Sequence, residues 1–180
     1  MELKQVIARR RSIRRFYPTE VPQEDILQIL ESARLCQSAC NRQPWRLMVL
    51  TGDMKRKVAE TMIQWVEDHP GVANDSAISA RIIRQAPVLI MVLREKDDFW
   101  KHFDDLSIGA AIEHMCLTAV DLGLGALWIG HTAYAEADIL KVVGRADMEL
   151  PSVVAIGYPA EEPPMRPRLS LEEILIEPKV

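Results

Sequence analysis

Between Pro87 and Leu93 the chain reads Pro-Val-Leu-Ile-Met-Val-Leu without one polar side chain. A strand with one wet face alternates apolar and polar residues, so this run needs cover on both faces and a central place in a sheet. Helices must supply that cover, and the flanking sequence has their period. Residues 3 to 11 predict an amphipathic helix with Leu3, Val6 and Ile7 inward. From Pro22 to about Leu35, Ile26, Leu27, Ile29, Leu30 and Ala33 share a helical face, with Pro22 in the first turn and Glu24 and Asp25 at its positive end. Arg46 to Thr51 predicts a strand. Asp53 then predicts a cap for a helix with Val58, Met62, Ile63 and Val66 inward, which stops before Pro70-Gly71. A further helix runs through Ile78, Ile82 and Ile83 and ends at Ala86-Pro87.

The second half has the same alternation. Residues 104 to 122 make the longest helical segment, and Ile108, Ala111, Ile112, Met115, Leu117, Ala119 and Leu122 leave little of it polar, which predicts burial in the domain or at a subunit contact. Gly123 suits a left-handed stop, Ala126 to Ile129 a buried strand, Ala135 to Val143 a short helix and Val153 to Gly157 another strand. The prolines at 159, 163, 164 and 167 predict an extended arm, and Ser170-Leu-Glu-Glu173 has the spacing of a capping box. By pattern alone, such alternation points to a parallel sheet wound with helices on both faces.

Composition narrows the function. The 180 residues are 48% hydrophobic, enough for the core of a single domain spanning 1–180. With 22 Lys+Arg against 26 Asp+Glu the net charge is −4, the wrong balance for a general nucleic-acid binder. No apolar run approaches the ~20 residues of a membrane span. Met1 to Arg11 is charged helix with no signal-peptide pattern, so a cytoplasmic protein is expected. Cys36, Cys40 and Cys116 are odd in number and read as buried or semi-buried free thiols. His69, His102, His114 and His131 are scattered, and metal catalysis has no sequence support. Glycine-rich nucleotide cradles are also missing, since Gly123-Leu-Gly125 ends a helix where such a motif would open one.

Positive charge is concentrated at the two ends, in Arg10-Arg11-Ser12-Ile13-Arg14 and Arg166-Pro167-Arg168. Planar guanidinium groups meet phosphate oxygens through paired, charge-assisted hydrogen bonds, so both segments together suit one phosphorylated ligand held by side chains. The alternative is a helix C-terminus whose arginines face solvent. Ser38, Asn41 and Gln43 lie in a polar loop where short side chains either donate to a cofactor or bond to their own backbone in a turn.

Four ordered segments carry a resemblance across nearly the whole chain. They are Arg10 to Arg14 with Phe16; Ser38-Ala-Cys-Asn-Arg-Gln-Pro-Trp45; Gly109-Ala-Ala111 through Leu122-Gly-Leu-Gly-Ala-Leu-Trp-Ile-Gly130; and Ile156-Gly-Tyr-Pro159 with Arg166-Pro-Arg168. In these the chain resembles the FMN-dependent nitroreductase family of NAD(P)H-dependent flavin oxidoreductases. The resemblance implies an α+β fold, a three-layer α/β/α sandwich around a mixed central sheet, which replaces the all-parallel expectation. It also implies an intertwined homodimer with FMN at the subunit interface and a C-terminal arm from about 159 serving both dimer and phosphate contacts.

By resemblance, Arg10, Ser12, Arg166 and Arg168 hold the FMN phosphate and ribityl chain, with Arg11 at the phosphate end or acting through its backbone. Arg14 lies near the N1/C2 carbonyl side of the ring, where a cation stabilises the reduced flavin. Ser38, Asn41 and Gln43 contact the flavin, and Trp128, Ile129 and Gly130 pass beside it. Gln37 stands where the family commonly has proline, which alters that loop. Trp128 and Trp45 read as core packing from their apolar neighbours. Trp65, Trp100 and Phe103 suit either flavin cover or surface and dimer packing.

The implied reaction is a two-step exchange: hydride from NADH or NADPH to FMN, then electrons to a small nitroaromatic, quinone or activated alkene. No side chain is required as nucleophile, acid or base, and Glu113 and Asp105 read as solvated or paired. The alternatives are specialised flavin chemistry such as reductive dehalogenation, a flavin-binding redox sensor with little turnover, and a docking protein for a phosphorylated partner. Neither the acceptor nor the preferred nicotinamide leaves a fingerprint.

Overall fold

The computed structural model describes residues 1–71 and 74–178. Its core is a four-stranded sheet in the order β1-β2-β4-β3, formed by β1 (Trp45–Leu50), β2 (Val88–Glu95), β3 (Gly125–Ile129) and β4 (Met148–Gly157). β2 is central and buried on both faces from Val88 to Arg94, as its unbroken apolar run requires. Leu89, Met91 and Leu93 point to one face, under α3 (Gly52–Asp68), α4 (Asn74–Gln85) and α6 (Glu136–Val142). Val88, Ile90 and Val92 point to the other, under α2 (Gln23–Arg34) and α5 (Lys101–Asp121). This is the three-layer sandwich that the resemblance implies.

Strand direction corrects the pattern-based expectation. All three ladders are antiparallel. Between β1 and β2 the chain forms two helices, so it goes out along α3, comes back along α4, and re-enters the sheet at the end it left, with Leu50 opposite Leu89. A single helix would have produced a parallel neighbour. The unit β2-α5-β3 does have that form, and its two strands run the same way, but β4 lies between them. The parallel component of the sheet is an isolated bridge from Ser12 to Ala126.

Most element boundaries fall within a few residues of expectation, and β4 is longer, starting at Met148. Gly123 has φ +76°, and Ser170 and Glu173 close the capping box at α7 (Leu171–Ile174). Asp53 does not cap α3: the N-cap is Thr51, and Asp53 sits in the first turn paired with Arg56. In α1 (Leu3–Arg9) only Val6 is buried, while Leu3 and Ile7 are 65% and 56% exposed. Leu27 and Ile78 also face outward. Periodicity finds the apolar stripe, but how much of it meets a neighbour depends on what that neighbour covers. Cys36 and Cys116 are buried and Cys40 is exposed, contrary to the expected burial of all three. Desolvation, then Glu113, push the Cys116 thiol up to about 12 against the opposing effect of Arg10, so it is no nucleophile at neutral pH. Among the described residues no helix is long and apolar enough to cross a membrane.

Candidate functional site

Beyond α1 the chain becomes a strap along the outer edge of β3 and across the end of β4. Ile13 and Phe16 turn inward at 7% and 8% exposure, and their backbones bind the sheet edge: Ile13 N–H donates to Ala126 O at 3.1 Å, and Tyr17 N–H to Tyr158 O at 2.9 Å. Two glycines make this approach possible. A Cβ at Gly125 would lie 2.8 Å from Ile13 Cγ1, and one at Gly157 would lie 2.5 Å from Pro87 Cδ and 3.0 Å from Phe16 Cδ1. Three of the four sequence segments therefore meet here for steric reasons. Glu161 locks the strap by accepting from the amides of Arg14 (2.5 Å) and Arg15 (3.1 Å) and from Arg15 Nε (3.0 Å). Burial acts to raise the Glu161 pKa, but these hydrogen bonds outweigh it and hold the carboxyl below its ordinary value.

The strap sends its arginines in different directions. Arg10 Nε pairs with Glu113 of α5 at 3.2 Å. Arg11 curls back to donate to Ala8 O at 2.7 Å and Arg10 O at 2.8 Å, capping α1 and lining a separate cavity with Gly125 and Glu161. Arg14 reaches a cavity of about 260 Å³ whose walls include Trp128, Ile129, Gly130, Ser79 and His131. Ser79 Oγ lies 2.8 Å from His131 Nδ1. The structure thus brings together Arg14 with Trp128, Ile129 and Gly130. A Cβ at Gly130 would meet nothing within 4 Å, so the backbone there is open to a flat ligand.

Trp128 is not core, in contrast to Trp45. It is 45% exposed, and its ring lies beside Gly109 of α5, where an added Cβ would sit 3.5 Å from Trp128 Cη2. β3 is an edge strand, which leaves this ring only partly covered. Trp128 also walls a second cavity of about 630 Å³ between α5, β4 and α6. Trp65 stacks on His69 and lies tilted against Tyr134, while Trp100 packs between Phe99, Phe103 and Arg42.

Ser38, Asn41 and Gln43 lie elsewhere. Ser38 lines a cavity with Gln37 and Ser107, its Oγ accepts the Gln43 amide at 2.9 Å, and Gln43 Nε2 donates to Asn41 Oδ1 at 3.3 Å. Cys40, Asn41 and Gln43 have φ of 51°, 53° and 49°, a left-handed backbone that costs side-chain-bearing residues about 1 kcal/mol or more each. Arg42 holds this strained loop: it binds the buried Asp104 through Nε at 3.0 Å and Nη2 at 3.2 Å, reaches Asp97 at 3.1 Å, and covers the Trp100 ring at 4.6 Å. Arg166 and Arg168 are exposed on the arm after Pro163. Sequence reasoning missed Ser79, His131, Arg42 and Glu161. Only His131 left a signal, as the residue directly after Gly130.

The model for the nitroreductase family matches residues 7–158. The chain belongs to the nitroreductase family. A protein of Methanothermobacter thermautotrophicus named "Putative NADH dehydrogenase/NAD(P)H nitroreductase" is 33% identical, with 98% of this chain and 87% of that protein covered. An iodotyrosine deiodinase of Thermotoga neapolitana is 25% identical over 89% of this chain and 90% of its own. Among solved structures, a "putative nitroreductase in complex with fmn" from Desulfovibrio desulfuricans superposes with TM-score 0.82 at 27% identity, covering 100% of this chain and 98% of that one. As a nitroreductase-family member, the chain has the fold and the oxidoreductase class that the four segments implied.

Proposed function

We propose that this protein is an FMN-dependent oxidoreductase that takes hydride from NADH or NADPH and reduces nitroaromatics, quinones or other electron-poor acceptors in a ping-pong cycle, with FMN seated between two copies of the chain. The observation that carries this reading is the division of the polar groups. Arg14 and the Trp128-Ile129-Gly130 segment line one cavity, whereas Ser38 lines another and Arg166 and Arg168 are exposed on the arm. That cavity, at about 260 Å³, is smaller than the ~300–1,000 Å³ usual for a small-molecule site. A half-site of this kind is completed by a second copy that brings its loop and arm. The exposed Leu3, Ile7, Leu106, Met165, Leu169, Leu175 and Ile176 supply the apolar surface for such pairing.

The residues present fit FMN. Arg10, Ser12, Arg166 and Arg168 are the donors a phosphate dianion needs, and the absent side chain at Gly130 leaves backbone accessible to a ring. Bound there, FMN supplies the redox chemistry by accepting a hydride and passing electrons to the acceptor. Arg14 places a fixed positive charge in the cavity, which favours a ligand that becomes more negative on reduction. Gly130 leaves its backbone uncovered by a side chain, while the Ile129 carbonyl is taken by Ser152 Oγ, and Trp128 and Ile78 bring apolar surface to the same cavity. The Glu161 lock and the Ile13 anchor keep Arg14 in position.

Reductive dehalogenation is less well supported. The connection from β2 to α5 is the five residues Lys96–Trp100, too short for a lid over a large substrate. The three thiols and the lack of a membrane-spanning helix among the described residues support a cytoplasmic setting. The test is the visible spectrum of the purified protein before and after anaerobic addition of NADPH, then NADH. A flavin spectrum that bleaches is the expected outcome, and a colourless protein that takes up no FMN overturns the reading.

A further inference from the structure

The cavity beside Arg14 holds a polar pair with no part in the reading above. Ser79 of α4, 6% exposed, sits 2.8 Å from Nδ1 of the half-buried His131, which opens the turn after Gly130. With Nδ1 engaged by the hydroxyl, the imidazole is held in one orientation and Nε2 is left for a ligand. Tyr134 braces the ring from the same turn, with centroids 6.3 Å apart and planes 22° off parallel. Around the pair the seam between α4 and this turn is polar. Ser76, one helical turn from Ser79, and Thr132, next to His131, are 2% and 0% exposed, and their hydroxyls have no protein partner among the described residues. Buried hydroxyls are costly unless they are bonded, and of these four polar side chains Ser79 and His131 are the two that line the cavity.

We propose that His131, oriented by Ser79, is the proton donor to the acceptor as it is reduced. The proposal rests on the flavin reading. A quinone becomes a hydroquinone by gaining two electrons and two protons. Hydride transfer from the reduced cofactor brings both electrons and one proton; imidazolium Nε2–H supplies the second, leaving neutral His131, which takes a proton back from solvent. The charged and titratable groups around His131 are Arg14 and Asp75, which line the same cavity, and Tyr134 on its own turn; Trp65 and His69, at the end of α3, lie beyond Tyr134, and the Glu136 carboxylate of α6 accepts the Leu150 amide.

Stopped-flow reoxidation of the reduced FMN holoenzyme tests this, with benzoquinone against ferricyanide, which takes electrons but no proton. In His131→Asn the flavin spectrum and FMN affinity should persist, while the ratio of the quinone rate to the ferricyanide rate falls about a hundredfold. Wild-type quinone rates should show a larger solvent deuterium isotope effect than ferricyanide rates, and the variant should lose that difference. Ser79→Ala should lower the ratio about tenfold with the isotope effect retained, which distinguishes positioning from donation and serves if the first variant folds poorly. An unchanged ratio, or both oxidants slowing in step, overturns the proposal alone. A wild-type protein that takes up no FMN overturns the functional reading and this proposal together.

Discussion

The strap at Arg10–Phe16 and the arm after Pro163 carry the same kind of residue to opposite ends of the chain, yet the fold treats them differently. The strap is built into the sheet edge through Ile13, Phe16 and the backbone bridges to Ala126 and Pro159. The arm leaves Met165, Leu169, Leu171 and Ile176 between 54% and 91% exposed. Charge alone therefore does not position a guanidinium; the apolar neighbours of the arginine do. Burying one isoleucine contributes about 1.5–3 kcal/mol, enough to hold a short segment, and the arm's large apolar side chains find no such burial among the described residues.

The comparison breaks most readily on the strap side. Ile13→Ala should cost about 2–5 kcal/mol in urea unfolding, whereas Leu169→Ala, already in water, should leave the unfolding of the isolated chain within about 0.5 kcal/mol. Equal losses would mean the arm is as well anchored as the strap. Gly157→Ala should cost about 1–3 kcal/mol, because its Cβ would overlap Pro87 and the strap's Phe16. The matching test on the arm is functional. Arg168→Ala should lower FMN affinity by about tenfold or more and lose flavin on gel filtration while staying folded, since a bond to a charged group contributes about 1.5–3 kcal/mol. Full flavin occupancy would remove Arg168 from the site.

The smallest expected effect concerns the Glu161 lock. Its carboxyl titrates below the usual value when folded, so its stabilisation is complete above the unfolded pKa and is lost as pH falls through the folded one. Amide exchange at Arg14 and Arg15 should speed up on acidification below about pH 4, with no such acid step in Glu161→Gln. An exchange rate that tracks only the intrinsic pH dependence would show that Glu161 does not hold the strap.

How much of this was legible depended on the residue. β2 could be read because a strand buried on both faces has no polar position to disguise it. Gly123 and the Ser170 box are local backbone chemistry, complete within a few residues. Arg10, Ser12 and Arg14 could be picked out as a group, but not that Arg11 would cap its own helix while Arg14 turned toward Gly130. Trp128 looked like core because its neighbours are apolar, and Ser79 looked like any helical serine. Its partner is 52 residues away.

By itself the sequence determined the helix and strand segments, the two-sided burial of β2, and the family, since each rests on local periodicity or on an ordered set of short motifs. Only the tertiary structure decided strand direction, the exposure of Trp128, the separation of the Ser38 loop from Arg14, and the meeting of Ser79 with His131. The physical reason is range. Backbone conformation and amphipathic pattern are set over a few residues, whereas a cavity is made by side chains from distant segments whose spacing depends on how every helix packs against the sheet.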